Sequence, residues 1–392
     1  MSASGLGARL LGEVRSESLD ELLRSLRTAQ NPTPSSRLNI PALDRLLNIF
    51  SLQQQQQQRG PGNPLLQSSS IAPEQETAPG VTPPPSTPRA KGAVIEITGN
   101  GPCAGKTQLL YYITAVSILP ATWAGVRVNG KEGMVIILDT DGRFDVARLR
   151  DVTAHYLRRC IESAHDSTVG VDEDQDAQIE ALVNALLMHV HILRPQSTAS
   201  LIATLNSMPD YLFSPEEHYS SHRPLQAILL DSASAFFCQD RMDDESKQLQ
   251  GENGGHTFVQ AQQDIVKELR SLQKTFDCVI VATNWGLYPC HSENGPLSFR
   301  PHLPPVWTFF CTLRLVVEKE KVPGFGPGMS VEEALLDAEA RQSVVDQGRF
   351  LGWVDRWGSE SWVDPIWDAL GRVKDGGSFA FTVTGSGVEV EE

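Results

Sequence analysis

One segment constrains the fold more than any other, namely residues 95–108, which read IEITGNGPCAGKTQ. An apolar run typical of a strand passes into a glycine-rich turn, and Gly105-Lys106-Thr107 then begins a helix. Consecutive backbone amides in such a turn converge on an anion, and the N-terminus of the helix adds its partial positive charge. The segment therefore predicts an α/β unit whose loop binds phosphate groups.

The side chains of this loop are those that a magnesium–triphosphate needs. Lys106 can reach the β- and γ-phosphates, and the hydroxyl of Thr107 can bind Mg²⁺. The consensus has a glycine where this chain has Asn100, with a glycine on either side. Asparagine tolerates left-handed backbone geometry, so we expect the loop to form and to bind with impaired affinity. The predicted nucleotide-binding residues of the loop are Gly99, Asn100, Gly101, Gly105, Lys106, Thr107 and Gln108.

Two further apolar runs are followed by aspartates. Residues 225–230 lead into Asp231, and residues 134–138 lead into Asp139-Thr140-Asp141. Ligands of open α/β sheets bind at the carboxyl ends of the strands, where these side chains would lie. We predict that Asp231 holds Mg²⁺ together with Thr107, and that Asp141 polarises the water that attacks the γ-phosphate. The alternative for both aspartates is a role as a turn or helix cap.

Apolar strands and helices alternate beyond this segment, which predicts an α/β fold with a mostly parallel sheet flanked by helices. The predicted strands are 93–98, 134–138, 190–193, 227–230, 279–282 and 312–317. The predicted helices are 106–119, 145–163, 197–212 and 258–276. Two short apolar runs at 379–383 and 388–390 predict a closing C-terminal β-hairpin.

Composition divides the chain into five predicted segments. Residues 1–50 form an N-terminal helical segment with short apolar helices at 16–28 and 37–50, the first of which is a candidate docking surface. The next segment is rich in Gln, Pro and Ser and cannot bury enough apolar surface to order, so we predict a disordered linker. The remaining boundaries are 51–90 for the linker, 91–322 for the core, 323–378 for a Trp-rich insertion and 379–392 for the closing hairpin.

The Trp-rich insertion combines a predicted acidic helix at 330–342 with four tryptophans. Their spacing is compatible with a satellite core or with an exposed apolar patch, and we favour the core. The four residues are Trp353, Trp357, Trp362 and Trp367.

The charge balance limits the possible partners. The chain has 33 Lys+Arg and 48 Asp+Glu, a formal net charge of −15. Such an excess of acids argues against a large basic surface that binds duplex DNA alone, although a local patch or a basic partner remains open. No stretch approaches the roughly 18 apolar residues that a membrane span requires, so we expect a soluble intracellular protein without membrane association.

The order of the motifs resembles that of the RecA-like recombinases. Within that family the chain is most similar to the accessory paralogues, through the segment 231–237 (DSASAFF) and the terminal GSGVE at 385–389. The likeness covers most of residues 91–322 and the closing hairpin. The family motifs are Ile40-Pro41-Ala42-Leu43-Asp44, Gly105-Lys106-Thr107-Gln108-Leu109, Asp139-Thr140-Asp141-Gly142, Leu229-Leu230-Asp231-Ser232 and Ala282-Thr283-Asn284.

This resemblance implies a RecA-like P-loop ATPase core that binds ATP and Mg²⁺. It also implies a nuclear role in homologous-recombination repair of DNA double-strand breaks, in a heteromeric complex with another paralogue on single-stranded DNA. The family has a glutamate at the position of Asp141. It also has a polar sensor residue at the position of Asn284, followed by a glutamine where this chain has Trp285. Both differences change how the attacking water is positioned, so we expect at most a weak DNA-dependent ATPase.

The resemblance places two DNA-contacting loops, at 239–247 and 286–305. The first carries more acids than bases, which predicts weak independent binding of DNA. The second offers basic and aromatic side chains, the latter for base stacking. These are Arg300, His291 and His302, and Tyr288, Phe299 and Trp307.

Two other functions remain open. One is a non-catalytic scaffold with a degenerate nucleotide site, which the displaced glycine, Asp141 and Trp285 favour. The other is a RecA-fold ATPase outside recombination, such as a signalling hexamer.

Overall fold

A computed structural model describes residues 37–58, 92–164, 173–250, 257–291, 296–322, 324, 326 and 328–391. The predicted helix at 16–28 and most of the predicted linker lie outside these residues. The strands are β1 (Val94–Gly99), β2 (Thr122–Trp123), β3 (Val126–Arg127), β4 (Met134–Asp139), β5 (Val190–Leu193), β6 (Leu225–Asp231), β7 (Val279–Trp285), β8 (Tyr288–Cys290), β9 (Ser298–Arg300), β10 (Leu313–Lys319), β11 (Arg349–Val354), β12 (Ser378–Val383) and β13 (Val388–Val390).

The α-helices are numbered in chain order, and the first of them precedes β1. They are α1 (Pro41–Gln58), α2 (Lys106–Ile118), α3 (Val146–Ala164), α4 (Glu173–Leu187), α5 (Thr198–Phe213), α6 (Phe237–Leu249), α7 (Phe258–Phe276), α8 (Pro305–Phe310), α9 (Val331–Leu336), α10 (Ala338–Asp346) and α11 (Asp364–Arg372). Within the part of the chain that the structure covers, no helix has both the length and the apolar character needed to cross a bilayer.

The main sheet has nine strands in the order β13-β12-β11-β10-β1-β7-β6-β4-β5. The strands from β10 to β5 in this order are parallel, and β11, β12 and β13 continue the sheet antiparallel. The predicted α/β fold with a mostly parallel sheet and a closing hairpin is confirmed. Every residue of β1 is buried, as expected for a central parallel strand that is covered on both faces.

Strand alternation sends successive side chains of each strand into two different cores. On one face Ile95 and Ile97 pack with residues of α1, α2 and α3, and on the other face Val94 packs with residues of α5 and α7. Because the central strands are parallel, their carboxyl ends meet at one edge of the sheet. This edge brings together the ends of β1, β4, β6 and β7.

Most predicted elements agree with the structure to within a few residues, and two segments near the N-terminus and after β6 differ more. The first helix continues past residue 50 to Gln58. The segment 239–247, which was predicted to be a loop, lies within helix α6, so the loop prediction is wrong, and its contact with DNA stays a prediction. This helix has no buried residue and is held by polar contacts, since Thr198 Oγ1 donates to Asp240 Oδ2 at 2.6 Å and the backbone N–H of Phe258 donates to Asp244 Oδ2 at 2.8 Å.

The Trp-rich insertion is not a separate unit. Its strand β11 lies in the main sheet between β10 and β12, and Trp353 is part of it. The ring of Trp362 lies edge-on to Phe50 of α1 at 5.1 Å and 5.2 Å from Trp367. Trp362 therefore joins the insertion to the N-terminal helix, and the four tryptophans do not form a satellite core of their own. The predicted acidic helix is present as two shorter ones, α9 and α10.

The contact between α1 and the insertion gives a stability prediction. We expect Phe50→Ala to lower the free energy of unfolding by about 3 kcal/mol, because it removes a buried aromatic ring and leaves a cavity beside Trp362. The matched control is Phe309→Ala, since Phe309 is 80% exposed and its loss should change stability little. Urea unfolding of both variants is the measurement. Equal effects of the two substitutions would show that α1 is not part of the folded core.

Candidate nucleotide site

The loop between β1 and α2 folds back on the start of the helix. Gly105 precedes α2 with a φ of +90°, a conformation that favours glycine. A Cβ atom there would lie 2.7 Å from a ring carbon of Phe350 in β11. The loop is closed by Lys106, whose Nζ donates to the carbonyl oxygen of Gly101 at 3.0 Å. Phe350 therefore sets how closely the loop lies on the sheet.

Asp231 at the end of β6 organises the centre of the site. Its side chain is only 5% exposed, and its carboxylate accepts hydrogen bonds from two hydroxyl groups. Thr107 Oγ1 donates to Oδ2 at 2.7 Å, and Thr283 Oγ1 donates to Oδ1. The Thr107 hydroxyl and the Asp231 carboxylate are thus adjacent oxygen ligands of the type that Mg²⁺ prefers. The predicted pair of metal-binding residues is brought together.

Lys106 lies among carboxylates. Burial lowers the pKa of its ammonium group, and the negative charges of Asp231 and Asp141 act in the opposite direction. Because few water molecules can screen a buried cation, its interaction with an entering phosphate is stronger than at the surface.

Asp141 follows β4 and faces the same space. Burial and the negative charge of Asp231 raise its pKa, and hydrogen bonds from Ser232 and Trp285 and the positive charge of Arg143 act against this rise. The hydroxyl of Ser232 is 3.4 Å from Oδ1 of Asp141. The net effect makes Asp141 a stronger base than an exposed aspartate.

These groups line one cavity of about 380 Å³, within the range of small-molecule sites. The predicted residues that line it are Gly99, Gly101, Lys106, Thr107, Asp141 and Asp231. The rest of the lining was not predicted as part of the site. These residues are Pro102, Arg143, Trp285, Gly286 and Leu287. Of these, Trp285 had the clearest signal, because it stands where the family carries a sensor glutamine.

Four predicted nucleotide-binding residues are not part of this lining. Asn100 is exposed at the top of the loop, and Gly105 lies beneath it against Phe350. Gln108 instead accepts a hydrogen bond from Arg148 Nε at 3.1 Å. The fourth is Asn284, which lies on the other face of the sheet.

The position of Asn284 follows from strand alternation. In β7, Thr283 faces Asp231, and the next side chain therefore faces the opposite side. There the Asn284 side chain is hydrogen-bonded to Glu96 of β1, a contact that helps to lower the pKa of that carboxyl against the effect of its burial. The structure thus places Thr283, and not Asn284, at the candidate site. Alternation along β7 predicts that Thr283 and Asn284 face opposite sides of the sheet, but the pairing of β7 with β6 decides that Thr283 is the one beside Asp231.

The second predicted DNA-contacting segment forms the two-stranded sheet β8–β9. Phe299 and Trp307 are each only 1% exposed, so the prediction that they stack on bases is wrong. The indole N–H of Trp307 donates instead to Gln262 Oε1 at 2.7 Å. Tyr288, which is 50% exposed, and Arg300 remain at the surface.

The donor set fits a magnesium–triphosphate. It contains one buried cation, one hydroxyl and one carboxylate in contact, and a second carboxylate in the same lining, that of Asp141. No three His, Cys, Asp or Glu side chains in the described ranges are placed to hold a metal alone. A divalent cation at this site would therefore take its remaining ligands from phosphate and water oxygens.

The loop geometry gives a second stability prediction. We expect Gly105→Ala to destabilise the fold by more than Gly142→Ala. Both positions have positive φ and incur the strain of about 1 kcal/mol for a left-handed alanine. Only at Gly105 does the added methyl group also meet Phe350, whereas nothing lies within 4 Å of it at Gly142. Urea unfolding compares the two, and a smaller effect at Gly105 would contradict the loop geometry.

No family model matches the chain. It is 25% identical over 265 residues to the DNA repair protein XRCC2 homolog of Arabidopsis thaliana, covering 59% of this chain and 70% of that protein. It is 27% identical over 227 residues to the DNA repair protein XRCC2 of Mus musculus, covering 55% and 69%. Together with the nine-stranded sheet, these similarities support a likeness of the chain to the XRCC2 paralogues of the RecA family.

Proposed function

We propose that this chain binds Mg–ATP and acts in the nucleus in homologous-recombination repair of DNA double-strand breaks, within a heteromeric complex that contains another RecA-family paralogue. Its similarity to two proteins named for DNA repair supports the repair role. The observation that carries the nucleotide claim is the convergence of Lys106, Thr107, Asp231 and Asp141 on one cavity.

Different residues of the site bind the phosphates and the divalent cation. The loop amides and Lys106 bind the phosphate tail, and Thr107 with Asp231 holds the divalent cation. Mg²⁺, when bound, neutralises part of the negative charge of the phosphates. Asp141 is the base available to water, and its raised pKa suits that role. Its short side chain and the tryptophan at 285 leave at most a weak, DNA-dependent ATPase.

Single-stranded DNA is contacted through the complex in this proposal. The net charge of −15 and the acidic helix α6 repel phosphate, so a partner paralogue supplies much of the positive charge. Arg300 and Tyr288 are exposed on the β8–β9 hairpin, where they can add a phosphate contact and a stacking surface.

A melting experiment tests nucleotide binding. A ligand that binds only the folded state raises the melting temperature, so millimolar Mg–ATP should stabilise the full chain. Lys106→Ala should abolish this shift, because it removes the cation that contacts the phosphates. Lys267→Ala, at an exposed lysine on α7, is the matched control and should keep the shift. An unchanged melting temperature of the wild-type protein at saturating Mg–ATP would rule out the nucleotide proposal.

The second candidate is a scaffold that needs no nucleotide. The hydrogen bond from Lys106 Nζ to the Gly101 carbonyl oxygen favours it, because the ammonium group then has a partner within the loop and does not require a phosphate. A cell line that lacks the protein and receives the Lys106→Ala variant separates the two. We expect it to stay sensitive to DNA cross-linking agents, whereas full rescue would favour the scaffold.

A further inference from the structure

Helices α9 and α10 of the insertion present large apolar side chains to solvent. Neither helix has a buried residue, whereas α7 buries a complete apolar face. In α9 the side chain of Val331 is 77% exposed, that of Leu335 is 69% exposed and that of Leu336 is 85% exposed. Val345 of α10 is exposed as well. Single exposed aliphatic side chains are common on protein surfaces, but a group of them on two adjoining helices indicates an interaction site.

Polar contacts within the pair define its structure. The N–H of Ser330 donates to Glu333 Oε2 at 2.8 Å, and the N–H of Glu333 donates to Ser330 Oγ at 3.2 Å, so α9 begins with a capping box. Arg341 of α10 pairs with Asp337, which lies between the two helices, at 2.9 Å. Helices of six and nine residues are only marginally stable in water without packing. Burial of the exposed aliphatic side chains against a partner would supply that packing.

The charge of the pair indicates the chemistry of this partner. Residues 330–346 contain five acids and one arginine, and the arginine is already paired with Asp337. The acids are Glu332, Glu333, Asp337, Glu339 and Asp346. Opposite charges across an interface favour association, whereas like charges oppose it. A second copy of this chain would bring the same acids to the contact, so the surface fits a positively charged partner.

We propose that the insertion surface, formed by α9 and α10 (residues 330–346), binds a basic amphipathic helix of a partner protein. Such a helix would pack its apolar residues on the exposed aliphatic side chains of α9 and place Lys or Arg beside the carboxylates of Glu332 and Glu339. The inference goes beyond the proposed function, because it involves no nucleotide and lies outside the cavity beside Asp231.

A peptide titration of the full chain without nucleotide tests the proposal. The probe is a fluorescein-labelled peptide in which leucines recur at helical spacing and the remaining residues are lysine. A matched peptide has glutamate in place of each lysine. By fluorescence anisotropy, we expect saturable binding of the lysine peptide that added salt weakens, and no binding of the glutamate peptide.

Two variants locate the binding. Leu335→Asp combined with Leu336→Asp should weaken binding of the lysine peptide by at least about tenfold, because the burial of two leucines is lost. The matched control is Leu249→Asp, since Leu249 is 89% exposed on the acidic helix α6, and it should leave the affinity unchanged. Each substitution adds a negative charge, which favours a basic peptide, so a loss of affinity reports the apolar contact.

A third variant tests the charges without changing the leucines. Glu332→Gln combined with Glu339→Gln should weaken binding of the lysine peptide and reduce its salt dependence. Urea unfolding should show all variants as stable as the wild type, because every replaced side chain is exposed.

Four results would overturn the proposal. They are no binding of the lysine peptide to the wild-type protein, equal binding of both peptides, an unchanged affinity in the α9 leucine variant, and equal losses in the α9 and α6 variants. Sedimentation velocity tests the remaining occupant. A dimer of the wild-type protein that Leu335→Asp with Leu336→Asp abolishes would identify a second copy of the chain as the occupant and would also overturn the basic partner. None of these results bears on nucleotide binding, so the two claims fail separately.

Discussion

The buried carboxylate of Asp231 is the interaction on which the rest of the site depends. It joins three elements, because Thr107 belongs to α2, Thr283 to β7 and Asp231 itself to β6. A buried charge must be paired or hydrogen-bonded, and here two hydroxyl groups and the nearby Lys106 ammonium meet that need. The same contacts fix the first turn of α2 against the sheet. The geometry of the loop between β1 and α2 (residues 100–105) therefore follows from the hydrogen bonds that stabilise the Asp231 carboxylate at the end of β6.

A second charge network lies on the other face of the sheet. Arg314 of β10 donates to Glu96 of β1 at 3.2 Å and pairs with Asp355 at 3.0 Å. Asp355 also accepts from the backbone N–H of Phe299 in the β8–β9 hairpin at 3.4 Å. Burial alone would raise the pKa of Glu96, and the charge of Arg314 holds it lower. This network thus links β1, whose end leads into the loop at residues 100–105, to the β8–β9 hairpin.

The positions of many strands, helices and cavity residues can be predicted from the sequence, because a local pattern of residues marks them. The strand–loop–helix at 95–108 and the apolar runs that lead to Asp139 and Asp231 predict the cavity residues, because parallel strands end at one edge. The helix at 258–276 was found with its observed bounds, since its apolar face is regular.

The rest depends on contacts that no local pattern shows. Helix α6 has no buried residue and so no periodic apolar signal. Strand β11 enters the sheet through pairing with β10, far away in sequence. Asn284 and Thr283 are adjacent in sequence, and only the register of β7 against β1 and β6 decides which of them faces Asp231. The domain boundaries and the predicted helix at 16–28 remain predictions.

The proposed function requires that the cavity beside Asp231 binds a magnesium-bound triphosphate. Isothermal titration of the full chain with a non-hydrolysable ATP analogue tests it most directly, with Mg²⁺ and then with excess EDTA. We expect saturable one-to-one binding with Mg²⁺ that weakens strongly without it, because Thr107 and Asp231 act through the cation. The absence of binding heat at millimolar analogue with Mg²⁺, or equal affinity with and without the cation, would contradict nucleotide binding at this cavity.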